Sequence, residues 1–163
     1  MPDELVISNT SPLLYLNLIN RLELLRRIYQ TVTVPSAVAA ELAEGANQGI
    51  RVPDLAMLSW LQIVPVQSQE LIPIVTDLGA GEAEVIALAL ENPGSLVIID
   101  DQLGRQIADM RQLTITGTLG IIIKARELEY IPTVKPLIDE LRQAGLWLAH
   151  ELVSEVLRQA GER

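Results

Sequence analysis

The sequence predicts an α/β protein with a mostly parallel sheet covered on both faces. Three features carry this expectation. Short, almost continuously apolar runs alternate with helical stretches; these runs lack the every-second-residue polarity of a half-exposed sheet; and each is closed by helix-starting residues.

Leu5-Val6-Ile7 is a short β-type run, followed by Ser8-Asn9-Thr10-Ser11-Pro12. Ser, Thr and Asn cap helix N-termini and Pro suits a first turn, so a helix should carry Leu13, Leu14, Leu16 and Leu18 to about Asn20. Arg21 to Tyr29 spaces Leu22, Leu25 and Ile28 three apart and reads as a second helix. Val32-Thr33-Val34 is a strand ended by Pro35-Ser36, and Ala37 to Glu44 is a helix that Gly45 should stop. A loop to Pro53, a short helix around Leu55–Leu58 and a strand from Leu61 to Val66 come next.

Asp77-Leu78-Gly79-Ala80-Gly81 is a turn feeding an alanine-rich helix from Glu82 to about Glu91. Asn92-Pro93-Gly94 ends it, and Leu96-Val97-Ile98-Ile99 is the most strand-like segment of the chain, with Asp100-Asp101 directly behind it. A helix from about Leu103 to Arg111, a strand at Leu113–Ile115 and a helix opening at Gly117-Thr118-Leu119-Gly120 and reaching Glu129 complete the alternation. Val134–Ala144 and His150–Gln159 read as two further helices. No repeat, low-complexity tract or long linker divides the chain, so residues 1–163 are expected to form one domain, with Ala144-Gly145-Leu146 as its best hinge.

Composition narrows the chemistry. Without cysteine there is no disulfide, thiolate nucleophile, zinc–thiolate site or iron–sulfur cluster. Aromatics are 3% of residues and Phe is absent, so the core must be Leu, Ile, Val and Ala. The net charge of −9 argues against a strongly basic nucleic-acid-binding face. It is compatible with a carboxylate site that is negative until a metal arrives. MPDELVISNTSP has no basic, apolar leader pattern and no apolar run reaches membrane-spanning length, so the expected location is the cytoplasm, with no membrane association. A mean hydropathy of +0.30 suggests apolar surface covered by another subunit.

In a doubly wound sheet, ligands bind where strands end and the next helices begin. Those positions hold Asn9, Asp100 and Asp101, with Glu82 and Glu84 at the start of the alanine-rich helix and Glu41 one turn into the helix after Pro35. Thr10, Ser11, Gly117 and Thr118 stand at similar junctions. Carboxylates gathered at one edge repel each other, and their pKa values rise unless a cation neutralises them. Magnesium or manganese suits such an oxygen-only site. Each acid also has a plainer reading: Glu82 and Glu84 as partners of a helix dipole, Asp100-Asp101 as helix caps, Glu41 as a solvated helix residue, and Asn9 as a turn residue. The joint placement is what points to a site.

Val6-Ile7-Ser8-Asn9-Thr10-Ser11-Pro12-Leu13, with Val34-Pro35-Ser36-Ala37-Val38 and Glu41-Leu42, resembles the opening of the PIN (PilT N-terminus) family. Leu78-Gly79-Ala80-Gly81-Glu82-Ala83-Glu84-Val85-Ile86-Ala87-Leu88-Ala89 resembles its central acidic helix. Val97-Ile98-Ile99-Asp100-Asp101, Gly104-Arg105, Ala108 and Ile115-Thr116-Gly117-Thr118-Leu119-Gly120 resemble its last strands. The ordered set spans about residues 4–130, leaving 131–163 as C-terminal helices.

The resemblance implies a three-layer α/β/α sandwich and a magnesium- or manganese-dependent ribonuclease, many relatives being toxins of toxin–antitoxin pairs. Carried over by position, the family's acids fall on Asn9, Glu41, Glu82 (or Glu84) and Asp100 or Asp101, with Thr10, Ser11 and Thr118 as polar supports. Asn9 departs from the usual aspartate and removes a charge from the implied metal shell. A non-catalytic interaction module is the competing expectation, and a nucleotide-binding α/β protein a weaker one, since Gly79-Ala80-Gly81-Glu82 lacks a full phosphate-binding fingerprint. An RNA substrate, an antitoxin protein and a homo-oligomer are the implied partners. His150 reads as a surface or cap residue. Trp60, Trp147, Tyr15, Tyr29 and Tyr130 read as packing residues rather than base-stacking ones. Arg105, Arg111, Lys124 and Arg126 are either a small basic rim or solvated helix faces.

Overall fold

The computed structural model describes residues 4–163. Five strands, β1 (Val6–Ser8), β2 (Val32–Pro35), β3 (Leu61–Val64), β4 (Leu96–Ile98) and β5 (Thr114–Thr116), form one all-parallel sheet in the order β3-β2-β1-β4-β5. Helices α1 (Thr10–Leu18), α2 (Glu23–Tyr29), α3 (Ser36–Asn47), α4 (Ala80–Glu91), α5 (Gln102–Met110), α6 (Thr118–Glu127), α7 (Lys135–Gln143) and α8 (His150–Gln159) flank it, giving the three-layer α/β/α sandwich. Among the described residues no helix is long and apolar enough to cross a membrane.

The central strands are apolar because both of their faces are covered. Val6 and Ile7 in β1, Val32 and Val34 in β2, and Val97 and Ile98 in β4 are all buried. α4 lies across β2, β1 and β4 and is itself enclosed by α3 and α5. Its run from Val85 to Ala89 is therefore buried on every side, which explains why helical periodicity is faint there. Alanines at 83, 87 and 89 let this helix approach the sheet closely. At the far end Glu162 accepts the N–H groups of Val134 (2.9 Å) and Lys135 (3.0 Å), tying the chain's last residues to the start of α7.

Several element ends differ from the sequence reading. α3 does not stop at Gly45 but runs through it to Asn47. The turn falls on Gly49, whose φ of +83° is the left-handed conformation that favours glycine. Gly45 serves close packing instead, since a Cβ there would lie 3.2 Å from Val52 Cγ1. The strand expected to reach Val66 ends at Val64, and Pro65, which lacks an N–H, follows it. The short helix near Leu55 is a single 3-10 turn, Leu55–Met57, started by Asp54, which accepts the Ala56 N–H at 3.1 Å. A second such turn, Gln69–Leu71, has no periodic signal in the sequence.

Candidate functional site

From β1 the chain steps outward to β2 and β3, then crosses back to lay β4 on the other side of β1. The segments leaving the ends of β1 and β4 therefore diverge, and such a switch point opens a crevice above the sheet. Val6↔Leu96 and Ser8↔Ile98 register puts these two strand ends level, and the Asn9 N–H extends the ladder to Ile98 O at 2.9 Å. Asn9 and Asp100 are thus brought to one place by backbone pairing.

A cleft of about 1090 Å³ opens there, with Asn9, Ser11, Glu82, Asp100 and Asp101 in its lining. Asp100 is held from three directions. Its Oδ1 accepts the Thr118 N–H at 2.7 Å, and its Oδ2 accepts the hydroxyls of Thr118 (2.6 Å) and Ser11 (3.0 Å). Because Thr118 begins α6, this carboxylate also faces a helix N-terminus. Gly117 makes the approach possible: a Cβ there would sit 2.8 Å from Asp100 Oδ1. Asp101 has a different job as the N-cap of α5, accepting the Gly104 N–H at 2.8 Å. The two adjacent acids, interchangeable in the sequence, are distinct in the fold.

Glu41, on α3, does not line the cleft but is near enough to Glu82 for its charge to be felt there. It accepts the Thr10 hydroxyl at 2.5 Å and the Gly81 N–H at 2.9 Å, and a Cβ on Gly81 would fall 2.5 Å from Glu41 Oε1. Glu82 lines the cleft and feels the charges of both Asp101 and Glu41. Partial burial pushes its pKa above the ordinary carboxylate value, the negative charges of Asp101 and Glu41 add to the rise, and its own backbone N–H opposes it. Glu84 goes elsewhere: its Oε1 accepts the Ala37 N–H at 2.9 Å, one residue into α3, and it does not line the cleft. Pro35, at the cap position of α3, has no side-chain acceptor, so Glu84 takes that role from a neighbouring helix.

Asn9 is 3% exposed, and its Oδ1 is buried without a hydrogen-bond partner. A buried carbonyl oxygen left unpaired is costly, about 1–3 kcal/mol, and calls for a ligand. Oxygen donors alone, one of them orphaned and one carboxylate disfavoured in its ionised form, suit a hard divalent cation in donor chemistry. The arrangement stops short of a finished shell: among the described residues no three acidic or histidine side chains are placed as ligands of one ion. Glu41, Asp100 and Asp101 each have an oxygen committed to a backbone N–H, and Asn9 is neutral.

Of the four candidate rim cations only Arg105 lines the cleft, and its Nη1 donates to Ile99 O at 2.7 Å. Arg126 instead donates to Ala160 O (3.2 Å) and pairs loosely with Glu162 (3.7 Å). His150, exposed, is the first residue of α8. Gln102, Gln106 and Asp109 line the cleft beside an apolar wall of Leu146, Trp147, Leu148 and Leu152, none of which the sequence reading placed there. Trp147 is not a core residue, being 81% exposed. Only its position in a non-helical link between two amphipathic helices could have signalled this.

The parallel sheet, the switch-point cleft and its carboxylates define an α/β/α protein with an acidic site above the sheet. The chain belongs to the PIN domain family: the family model DUF3368, a PIN domain, matches residues 5–162. PIN domains are generally nucleases, and the family generally uses divalent metal ions. The match runs through α7 and α8, past the stretch that carries the resemblance in the sequence. No curated protein and no solved structure matches the chain.

Proposed function

We propose that this protein is a divalent-metal-dependent endoribonuclease, with Asn9, Glu41, Glu82, Asp100 and Asp101 as its working residues and Mg2+ or Mn2+ as its cofactor. The observation that carries this reading is the unpartnered Oδ1 of Asn9, buried in the cleft that also holds Glu82, Asp100 and Asp101. Asn9, Glu82 and Asp100 would hold the ion, with Asp101 and Glu41 adding negative charge around it. When bound, the ion polarises a phosphoryl oxygen and makes a water molecule a stronger nucleophile. The chain's own residues do the positioning. Thr118 and Ser11 fix Asp100, Thr10 and Gly81 fix Glu41, and Arg105 secures the carbonyl at the end of β4. Glu84, engaged at α3, is left out of this set.

A second reading, a non-catalytic PIN interaction or regulatory module, draws on one specific observation. Asn9 supplies no charge, and no three acids among the described residues are placed as ligands. Calorimetric titration of Mn2+ into the wild type and Asp100→Ala separates the two readings. Binding in the wild type that is lost in the variant, with manganese-dependent RNA cleavage, supports the nuclease. Absence of binding in a folded wild type supports the module.

We further propose a cytoplasmic protein, the toxin component of a toxin–antitoxin pair, that assembles as a homo-oligomer. The family resemblance supports the pairing. The mean hydropathy of +0.30 supports the assembly, and exposed Met57, Ile63, Ile74 and Met110 are apolar side chains that a second copy would cover.

A further inference from the structure

The apolar part of the cleft lining has no role in the proposed function. It is built by the link between α7 and α8, and its outermost side chain is Trp147, 81% exposed beside half-buried Leu146 and Leu148. The backbone under this indole is anchored on both sides. Leu146 N–H donates to Leu141 O at 3.0 Å, and the Tyr15 hydroxyl donates to Gly145 O at 3.5 Å. Arg142 donates to Leu148 O at 3.0 Å. The ring therefore stands in solvent on a fixed support, at the wall of the cleft that contains Asn9, Glu82, Asp100 and Asp101.

Charge determines what such a wall must supply. Among the described residues the cleft lining has four carboxylates, Glu82, Asp100, Asp101 and Asp109, against one cation, Arg105, already bound to Ile99 O. Phosphate attraction normally provides most of the affinity for a nucleic acid, and here it is largely missing. An RNA strand held in this cleft needs attraction through its bases. In a duplex the base faces are covered by their neighbours, whereas an unpaired base offers its face to an aromatic ring.

We propose that Trp147 is a stacking platform for an unpaired base of the strand held in this cleft. This rests on the ribonuclease reading for its substrate, but its test does not depend on cleavage. In a Trp60→Phe background the intrinsic fluorescence reports Trp147 alone. Metal-free titrations use a short oligoadenylate, an abasic ribose-phosphate strand of equal length and a fully paired duplex of equal length. The oligoadenylate should quench Trp147, while the abasic strand and the duplex should not.

With an end-labelled oligoadenylate, Trp147→Ala should weaken binding about 5- to 150-fold, the range that one base-on-aromatic contact is worth. Trp147→Phe should keep most of the affinity, and circular dichroism should show both variants folded. Failure of the oligoadenylate to bind or quench overturns the proposal. So does equal quenching by the duplex or the abasic strand, or undiminished affinity in Trp147→Ala. The two readings fail separately. RNA that stacks on Trp147 yet resists cleavage with manganese removes the nuclease and keeps the platform; RNA cleaved and bound equally well by Trp147→Ala does the reverse.

Discussion

Glu84 of α4 accepts the Ala37 N–H at the start of α3, while Glu41 of α3 returns to accept the Gly81 N–H at the start of α4, each at 2.9 Å. The two helices cap each other. Removing Glu84 leaves the first turn of α3 without that acceptor. Glu84→Ala should lower unfolding stability by about 1–2 kcal/mol in urea titrations, in the range of lost helix caps. Its manganese affinity should stay at the wild-type value, which separates a cap from a ligand.

Glu82 gives a pH signature. Its pKa is raised in the folded protein, chiefly by burial, so the native state binds its proton more tightly than the unfolded chain. Between the unfolded and the folded pKa the native state holds more protons, and stability falls as pH rises through that window. Above both values ionised Glu82 is a standing penalty; below both the penalty is gone. Glu82→Gln should therefore stabilise the protein more at pH 7 than at pH 4. An equal difference at the two pH values, measured by urea denaturation, would refute this account.

Asn9→Asp restores the acid that the family resemblance implies. An added charge at ligand distance is worth about 4 kcal/mol at 4 Å and an effective dielectric of 20. Desolvation and repulsion from the neighbouring acids reduce this to a net gain of roughly 1–2 kcal/mol, on the order of ten-fold tighter manganese binding. Ribonuclease activity should rise with it and vanish in the Asp100→Ala, Asp101→Ala double variant. Unchanged affinity in a folded Asn9→Asp protein makes Asn9 only a turn residue.

Gln112, just past α5, has φ of +61°, a left-handed conformation that side-chain-bearing residues adopt at a cost. The helix end needs it: Leu113 N–H returns to Ala108 O at 3.0 Å. Gln112→Gly should raise stability by about 0.5–1 kcal/mol, a small upward shift in Tm. A lower Tm would contradict that reading.

The homo-oligomer is tested by sedimentation at micromolar concentration. A species at twice the 17.9 kDa chain mass or larger is expected, and a monomer of that mass rules it out.

The sequence by itself determined the layered class, the number of helices in its last third and the strand ends and helix starts at which acids stand. Strand interiors at Val32–Val34 and Leu96–Ile98 are apolar because both faces are covered, and that pattern is written residue by residue. Helix starts are legible for the same reason, since caps and breakers act within a few residues. The tertiary structure alone decided what each acid does. Asp100 and Asp101 are neighbours in the chain, yet one meets Thr118 and Ser11 from distant segments while the other caps its own helix. Glu82 and Glu84, two apart on one helix, face the cleft and α3 respectively. Gly45 reads as a helix stop until Val52 is seen packed against it. Trp147 reads as a packing residue, of the core or of an interface, and only the fold shows that it is no part of the core. Such partners lie up to 89 residues apart, as Ser11 and Asp100 do, and only the assembled sheet brings them within hydrogen-bonding distance.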